Sequence, residues 1–164
     1  MKNQFKSPSC GRLSLQQMVR EIVDFVNQEP EFYYQLVIGS DSHQKKTENK
    51  KFLTLVTAVV IYRQGKGGRY FWHRQTLSKV YSLKEKIYAE TIASLNLAQV
   101  LLPYLNRALN GERHYDLEIH IDVGRVGATR EMIKELVGMV TGNGFTAKTK
   151  PEAYGASKVA DKHT

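Results

Sequence analysis

The chain has 164 residues, 41% apolar and 24% charged, which bounds it to one ordinary globular domain with room for a substantial core. No apolar run approaches a membrane span, Met1-Lys2-Asn3-Gln4 opens no signal peptide, and the lone Cys10 cannot form an internal disulfide, so a reducing cytoplasm is expected. Lys and Arg exceed Asp and Glu by eight, which favours a polyanionic partner without naming one.

Residues 1–13 read as an N-terminal tail, with Cys10 an incidental thiol in a Ser-Pro-Ser-Cys-Gly loop. Residues 14–164 read as a single domain. Ser14 with Gln17 makes a capping box, and Leu15, Met18, Val19, Ile22, Val23 and Val26 recur at helical spacing, so a helix is expected over 14–28 with Pro30 beyond it. A β-rich run follows over 33–40, then a basic loop with Lys45, Lys46, Lys50 and Lys51. Residues 52–63 and 69–77 predict a second and a third strand. Gly65-Lys66-Gly67-Gly68 between them is a hairpin loop and not a phosphate loop, because no helix with a Lys-Ser/Thr pair follows.

Ser82 opens the longest helix, to about residue 107. A fourth strand is expected over 114–123, a helix over 127–140, a short fifth strand over 145–150 and a last helix over 153–162. Three strands on short loops form an antiparallel meander, and strands separated by helices pair in parallel through right-handed crossovers. The expected fold is an α/β domain with a mixed five-stranded sheet, order β-β-β-α-β-α-β-α, helices on both faces and an extra N-terminal helix.

Four acidic residues stand out on these elements. Asp41 closes Ile38-Gly39-Ser40, where small neighbours let a ligand approach; a turn-forming aspartate is the plain alternative. On the long helix, Leu83, Ile87, Thr91, Ser94, Ala98, Leu101, Leu102 and Leu105 share one face at about 100° per residue. Glu85 points away from that face and fits a cap with Ser82, whereas Glu90 lies on its margin. Asp122 follows Leu117, Ile119 and Ile121 on a strand, with an Asx-turn at Asp122-Val123-Gly124 as its plain alternative. Asp161 lies in the last helix. Carboxylates in strands and helix margins are costly unless a cation gathers them.

The pieces Gly39-Ser40-Asp41-Ser42-His43, Tyr88-Ala89-Glu90-Thr91, Ile121-Asp122-Val123-Gly124 and Gly155-Ala156-Ser157-Lys158-Val159-Ala160-Asp161, in this order of elements, resemble the ribonuclease H fold. More closely, they resemble the YkuK family of ribonuclease H-like bacterial proteins. The resemblance implies that Asp41, Glu90, Asp122 and Asp161 bind two Mg²⁺ or Mn²⁺ ions and that the chain hydrolyses phosphodiester bonds in nucleic acid, RNA, DNA or hybrid. A nucleic-acid-binding module of the same fold without catalysis is the first alternative. Phosphotransfer proteins of the actin and sugar-kinase type share the core, but they need a second lobe for which the chain has no room.

His43 and His163, each two residues from an aspartate, can shuttle protons, while His120 on a strand packs or hydrogen-bonds. Only His43 is added to the four carboxylates as a catalytic residue. Alternation puts Tyr70 and Trp72 on one side of the third strand and Phe71 on the other; core packing is the expected use, with a base-stacking platform as the alternative. No zinc spacing and no nucleophile elbow is present.

Overall fold

The computed structural model describes residues 4–79, 81–112, 115–153 and 155–164, with the backbone alone at Gly155 and Ser157. The sheet has seven strands: β1 (Phe5–Ser7), β2 (Gly11–Leu13), β3 (Tyr34–Lys46), β4 (Lys51–Arg63), β5 (Gly68–Leu77), β6 (Tyr115–His120) and β7 (Thr146–Lys148). Their spatial order is β2-β1-β5-β4-β3-β6-β7. β3, β4 and β5 form the expected antiparallel meander, and β6 and β7 add to it in parallel. The helices are α1 (Leu15–Gln28), α2 (Leu83–Ala108), α3 (Ile133–Gly142) and α4 (Gly155–Asp161).

The expected count of five strands is thus corrected to seven. Phe5–Ser7 and Gly11–Leu13, read as part of a tail, form a hairpin that joins the sheet where Lys6 faces Trp72. Three-residue strands carry too few alternations to show a period of two. Phe5 nevertheless goes fully into the core.

The expected basic loop is also corrected. Lys45, Lys46 and Lys51 lie on strands, with Lys46 opposite Lys51, and only residues 47–50 turn, closed by the Thr47 N–H on the Lys50 carbonyl at 2.8 Å. Ser40-Asp41-Ser42-His43-Gln44 shows no apolar alternation, but the neighbouring β4 is apolar and templates it. The fourth strand is shorter than expected, and its predicted first residue, His114, lies outside the described residues. The helix expected from residue 127 starts later, because Gly127 sits at φ +102° and a 3-10 turn at Arg130–Met132 precedes α3. Gly68 opens β5 where only glycine fits: a Cβ there would meet the Ile61 carbonyl oxygen at 2.6 Å.

The strands segregate two faces. Leu36, Ile38, Val59, Ile61 and Phe71 share the main core with α1, α2 and α3. Val56 and Ala58 on the other face meet Ala160 of α4, small against small, so this short helix sits close to the sheet. Ser14 caps α1 with the expected capping box. The other end of α1 is held by a buried cation: Arg63 donates to the Phe25 carbonyl at 2.7 Å and to Tyr34 Oη at 2.8 Å, lies over the Phe25 ring and pairs with Glu29 at 3.1 Å. Tyr34 Oη in turn donates to the Glu29 carbonyl at 2.8 Å. Two side chains from the sheet therefore satisfy carbonyls that the helix end leaves open.

Candidate functional site

The centre of the site is the middle of β3, the strand paired on both sides and covered on both faces. Alternation turns Ser40 and Ser42 toward α2, and Asp41 and His43 toward α4. On α2, Glu90 and Ser94 stand one turn apart, about 6 Å along the helix, close to the span of two residues on a strand. They meet β3 as two polar rungs. Ser94 Oγ lies 2.7 Å from Ser40 Oγ, which also reaches Thr57 Oγ1 at 2.9 Å, and Ser42 Oγ donates to Glu90 Oε1 at 2.6 Å. The small residue at position 40 thus serves helix–sheet packing, not the approach of a ligand as its sequence context suggested. Glu90 is 7% exposed, further inside than a margin position implied. Glu85 points outward, as expected: its N–H donates to Ser82 Oγ at 3.2 Å and its carboxylate pairs with Lys79 at 3.7 Å.

On the α4 face, Asp41, His43 and Asp161 bring one ligand atom each within 4.8 Å of one another. The His43 Nε2 lies 3.0 Å from Asp161 Oδ1 and 3.3 Å from Asp41 Oδ2. The second contact is electrostatic only; Asp41 Oδ2 is buried with no hydrogen-bond partner. His43, expected in a loop, is on β3, which gives it this fixed position between the two aspartates.

Asp122 lies just past β6, not on it. Its segment is zipped to the one after β7 by the Ile121 N–H on the Lys148 carbonyl (2.9 Å) and the Lys150 N–H on the Val123 carbonyl (2.8 Å). That register sets Lys150 Nζ on Asp122 Oδ1 at 2.7 Å, so the carboxylate answers a lysine. Gly124 makes room for the lysine stem, since a Cβ there would lie 3.3 Å from Lys150 Cβ.

Glu90 and Asp122 stay outside the three-residue group, yet the four carboxylates act on one another. Burial raises the Asp41 pKa to about 6; His43 opposes this, and the charges of Asp161 and Asp122 add to it. Burial likewise raises Glu90 to about 8; the Ser42 hydrogen bond opposes this, and Asp41 and Asp122 add to it. The hydrogen bond from His43 holds the exposed Asp161 below its ordinary value. Asp41 is the member that couples to all three others.

The sequence matches a known family. The description "Ribonuclease H-like" fits residues 17–164. The chain belongs to the ribonuclease H-like family. It is also 29% identical over 173 residues to "Uncharacterized protein YkuK" of Bacillus subtilis (strain 168), across 98% of this chain and 96% of that one. No solved structure matches.

Within this ribonuclease H-like domain, three participants were not visible in the sequence. Ser42 is one residue from Asp41, and its partner Glu90 is 48 residues away along the chain. Lys150 reaches Asp122 only through the β6–β7 register, in which His120 faces Lys148. Trp72 packs against the Val56, Ala58 and Ala160 cluster as expected, and the sequence did not show that its ring also stacks on His163, with centroids 3.7 Å apart. His120 is as expected: it is buried, with Nε2 3.0 Å from Glu118 Oε2. Among the described residues, no helix is long and apolar enough to cross a membrane.

Proposed function

We propose that this chain hydrolyses phosphodiester bonds of nucleic acid, with Asp41, Asp122, Glu90 and Asp161 holding two Mg²⁺ or Mn²⁺ ions. The observation that carries the reading is the convergence of Asp41, His43 and Asp161, one ligand atom each within 4.8 Å of one another, with the charges of Glu90 and Asp122 acting on the same centre. The donor set suits hard divalent ions, since four carboxylates and one imidazole supply oxygen first. Asp41 Oδ2, buried and without a hydrogen bond, is the atom most in need of a cation. Bound ions would polarise the phosphate and lower the pKa of a water molecule at neutral pH.

The remaining work falls to the chain. Ser42 orients Glu90 through its 2.6 Å hydrogen bond, and Lys150 orients Asp122. His43 is half-exposed and lies between two carboxylates, which holds its imidazole where it can deliver a proton to the leaving oxygen. The net charge of plus eight, with four acidic groups gathered in one place, leaves a basic surface for the phosphate backbone.

A second reading has its own observation. Asp161 already has His43 as a hydrogen-bond partner and Asp122 already pairs with Lys150, which suits a binding module that folds around its own internal partners. A panel of RNA, DNA, hybrid and junction substrates with Mn²⁺ separates the two. Hydrolysis that is lost in chelator and in Asp41→Asn supports the enzyme. Binding without cleavage across the panel, in Mn²⁺ as in chelator, supports the module.

A further inference from the structure

Beside the acidic cluster, residues 162–164 lie against β5. The His163 imidazole stacks on the Trp72 indole with centroids 3.7 Å apart and planes 7° from parallel, and Tyr70 flanks the pair at 6.1 Å from the imidazole. Arg74 Nε donates to the His163 carbonyl at 3.0 Å and Nη2 donates to the same oxygen. Lys45 Nζ donates to the Thr164 carbonyl at 2.8 Å. Lys6 stands opposite Trp72 in the sheet. The segment therefore lays a flat heteroaromatic ring on an indole and two oxygens on a guanidinium and an ammonium.

The peptide fills this place poorly. His163 Nε2 is buried without a hydrogen-bond partner. Arg74 is directed at a neutral peptide carbonyl oxygen, where a phosphate oxygen would form hydrogen bonds roughly twice as strong. A nucleotide offers the same outline, a planar base and an anionic phosphate, and sequence-tolerant stacking on aromatic side chains beside basic groups is how single strands are held. Asp161, two residues before His163, belongs to the acidic cluster, so the place adjoins the proposed scissile bond.

We propose that Trp72, Arg74 and Lys45 form a subsite for one nucleotide of a single strand, its base on Trp72 and its phosphate between Arg74 and Lys45, which residues 162–164 occupy in its absence. This deepens the nucleic-acid reading given above and rests on it.

Trp72 is the chain's single tryptophan, so its emission reports on this subsite alone. The test titrates the full chain, in chelator at low salt, with single-stranded oligodeoxyadenylate of about twelve nucleotides, a length within usual single-strand site sizes. Anisotropy of a labelled strand runs in parallel, and an abasic strand of equal length is the control. A saturable change in Trp72 emission that tracks anisotropy is expected, with the abasic strand bound more weakly. Trp72→Leu should weaken binding about 5- to 150-fold, the equivalent of one lost stack, and Trp72→Phe should recover part of it. His163→Ala, which removes the competing ring, should tighten binding. Arg74→Gln should lower the salt slope by about 0.7.

Binding without any emission change, equal affinity for the abasic strand, unchanged affinity in His163→Ala, or no binding at low salt would each overturn the subsite. The two readings fail separately. An emission change without Mn²⁺-dependent cleavage keeps the subsite and removes the hydrolase, whereas cleavage with silent Trp72 emission keeps the hydrolase and removes the subsite.

Discussion

Replacing Glu90 by glutamine tests the buried carboxylate without knowledge of the substrate. The side chain is 7% exposed, and burial lifts its pKa from 4.5 to about 8. A carboxylate whose folded pKa lies above its unfolded value binds more protons when folded, so stability is full below about 4.5 and falls as pH rises toward 8. At about 1.4 kcal/mol per unit, the shift sets a ceiling near 5 kcal/mol. Relaxation and water entry reduce this to about 1–3 kcal/mol, because buried sites respond as if their dielectric constant were near 20.

Glutamine carries no charge and still accepts the Ser42 hydrogen bond. In chelator, Glu90→Gln should therefore melt above the wild type at pH 9, by about 2–12 °C for a domain of this size. The difference should shrink toward zero at pH 5. Mn²⁺ should close the gap at pH 8 by stabilising the wild type alone. Circular-dichroism melts at pH 5, 7 and 9 give the answer. A variant equally destabilised at every pH, or one that gains on the wild type as pH falls, would refute the placement of an ionisable Glu90 in the core.

Other consequences are local. Ser40→Ala leaves the Thr57 and Ser94 hydroxyls one partner short in a buried place and should cost about 1–3 kcal/mol, read from urea midpoints. Arg63→Met removes the cation that holds the end of α1 and leaves Glu29 half-exposed and unpaired; about 3 kcal/mol is expected, with the loss appearing first as faster amide exchange in α1. Lys46→Glu with Lys51→Glu, on the exposed arm of the β3–β4 hairpin, should weaken nucleic-acid binding with little change in melting temperature, and binding that stays equally tight at low salt would remove the arm from the interface.

Much of this was legible because long elements carry strong periods. The helix face of α2 separated Glu90 from Glu85 correctly, since 26 residues average out local noise. The antiparallel pairing of β3, β4 and β5 and the parallel pairing of β6 and β7 followed from loop lengths and the intervening helices. What was hidden depends on register and not on period. The β1–β2 hairpin is three residues per strand, the polar half of β3 is a strand only because β4 pairs with it, and Lys150 meets Asp122 only through the parallel β6–β7 pairing. Ser42 and Trp72 have ordinary sequence contexts, and their roles arise from partners 48 and 91 residues away.

The central claim is that the acidic cluster around Asp41 holds divalent ions. Electron paramagnetic resonance of free Mn²⁺, titrated with the wild type and with Asp41→Asn, counts bound ions without any substrate. The account predicts saturable uptake of about two ions per chain by the wild type and loss of at least one in the variant. No saturable uptake at millimolar Mn²⁺, or identical curves for the two proteins, would contradict it.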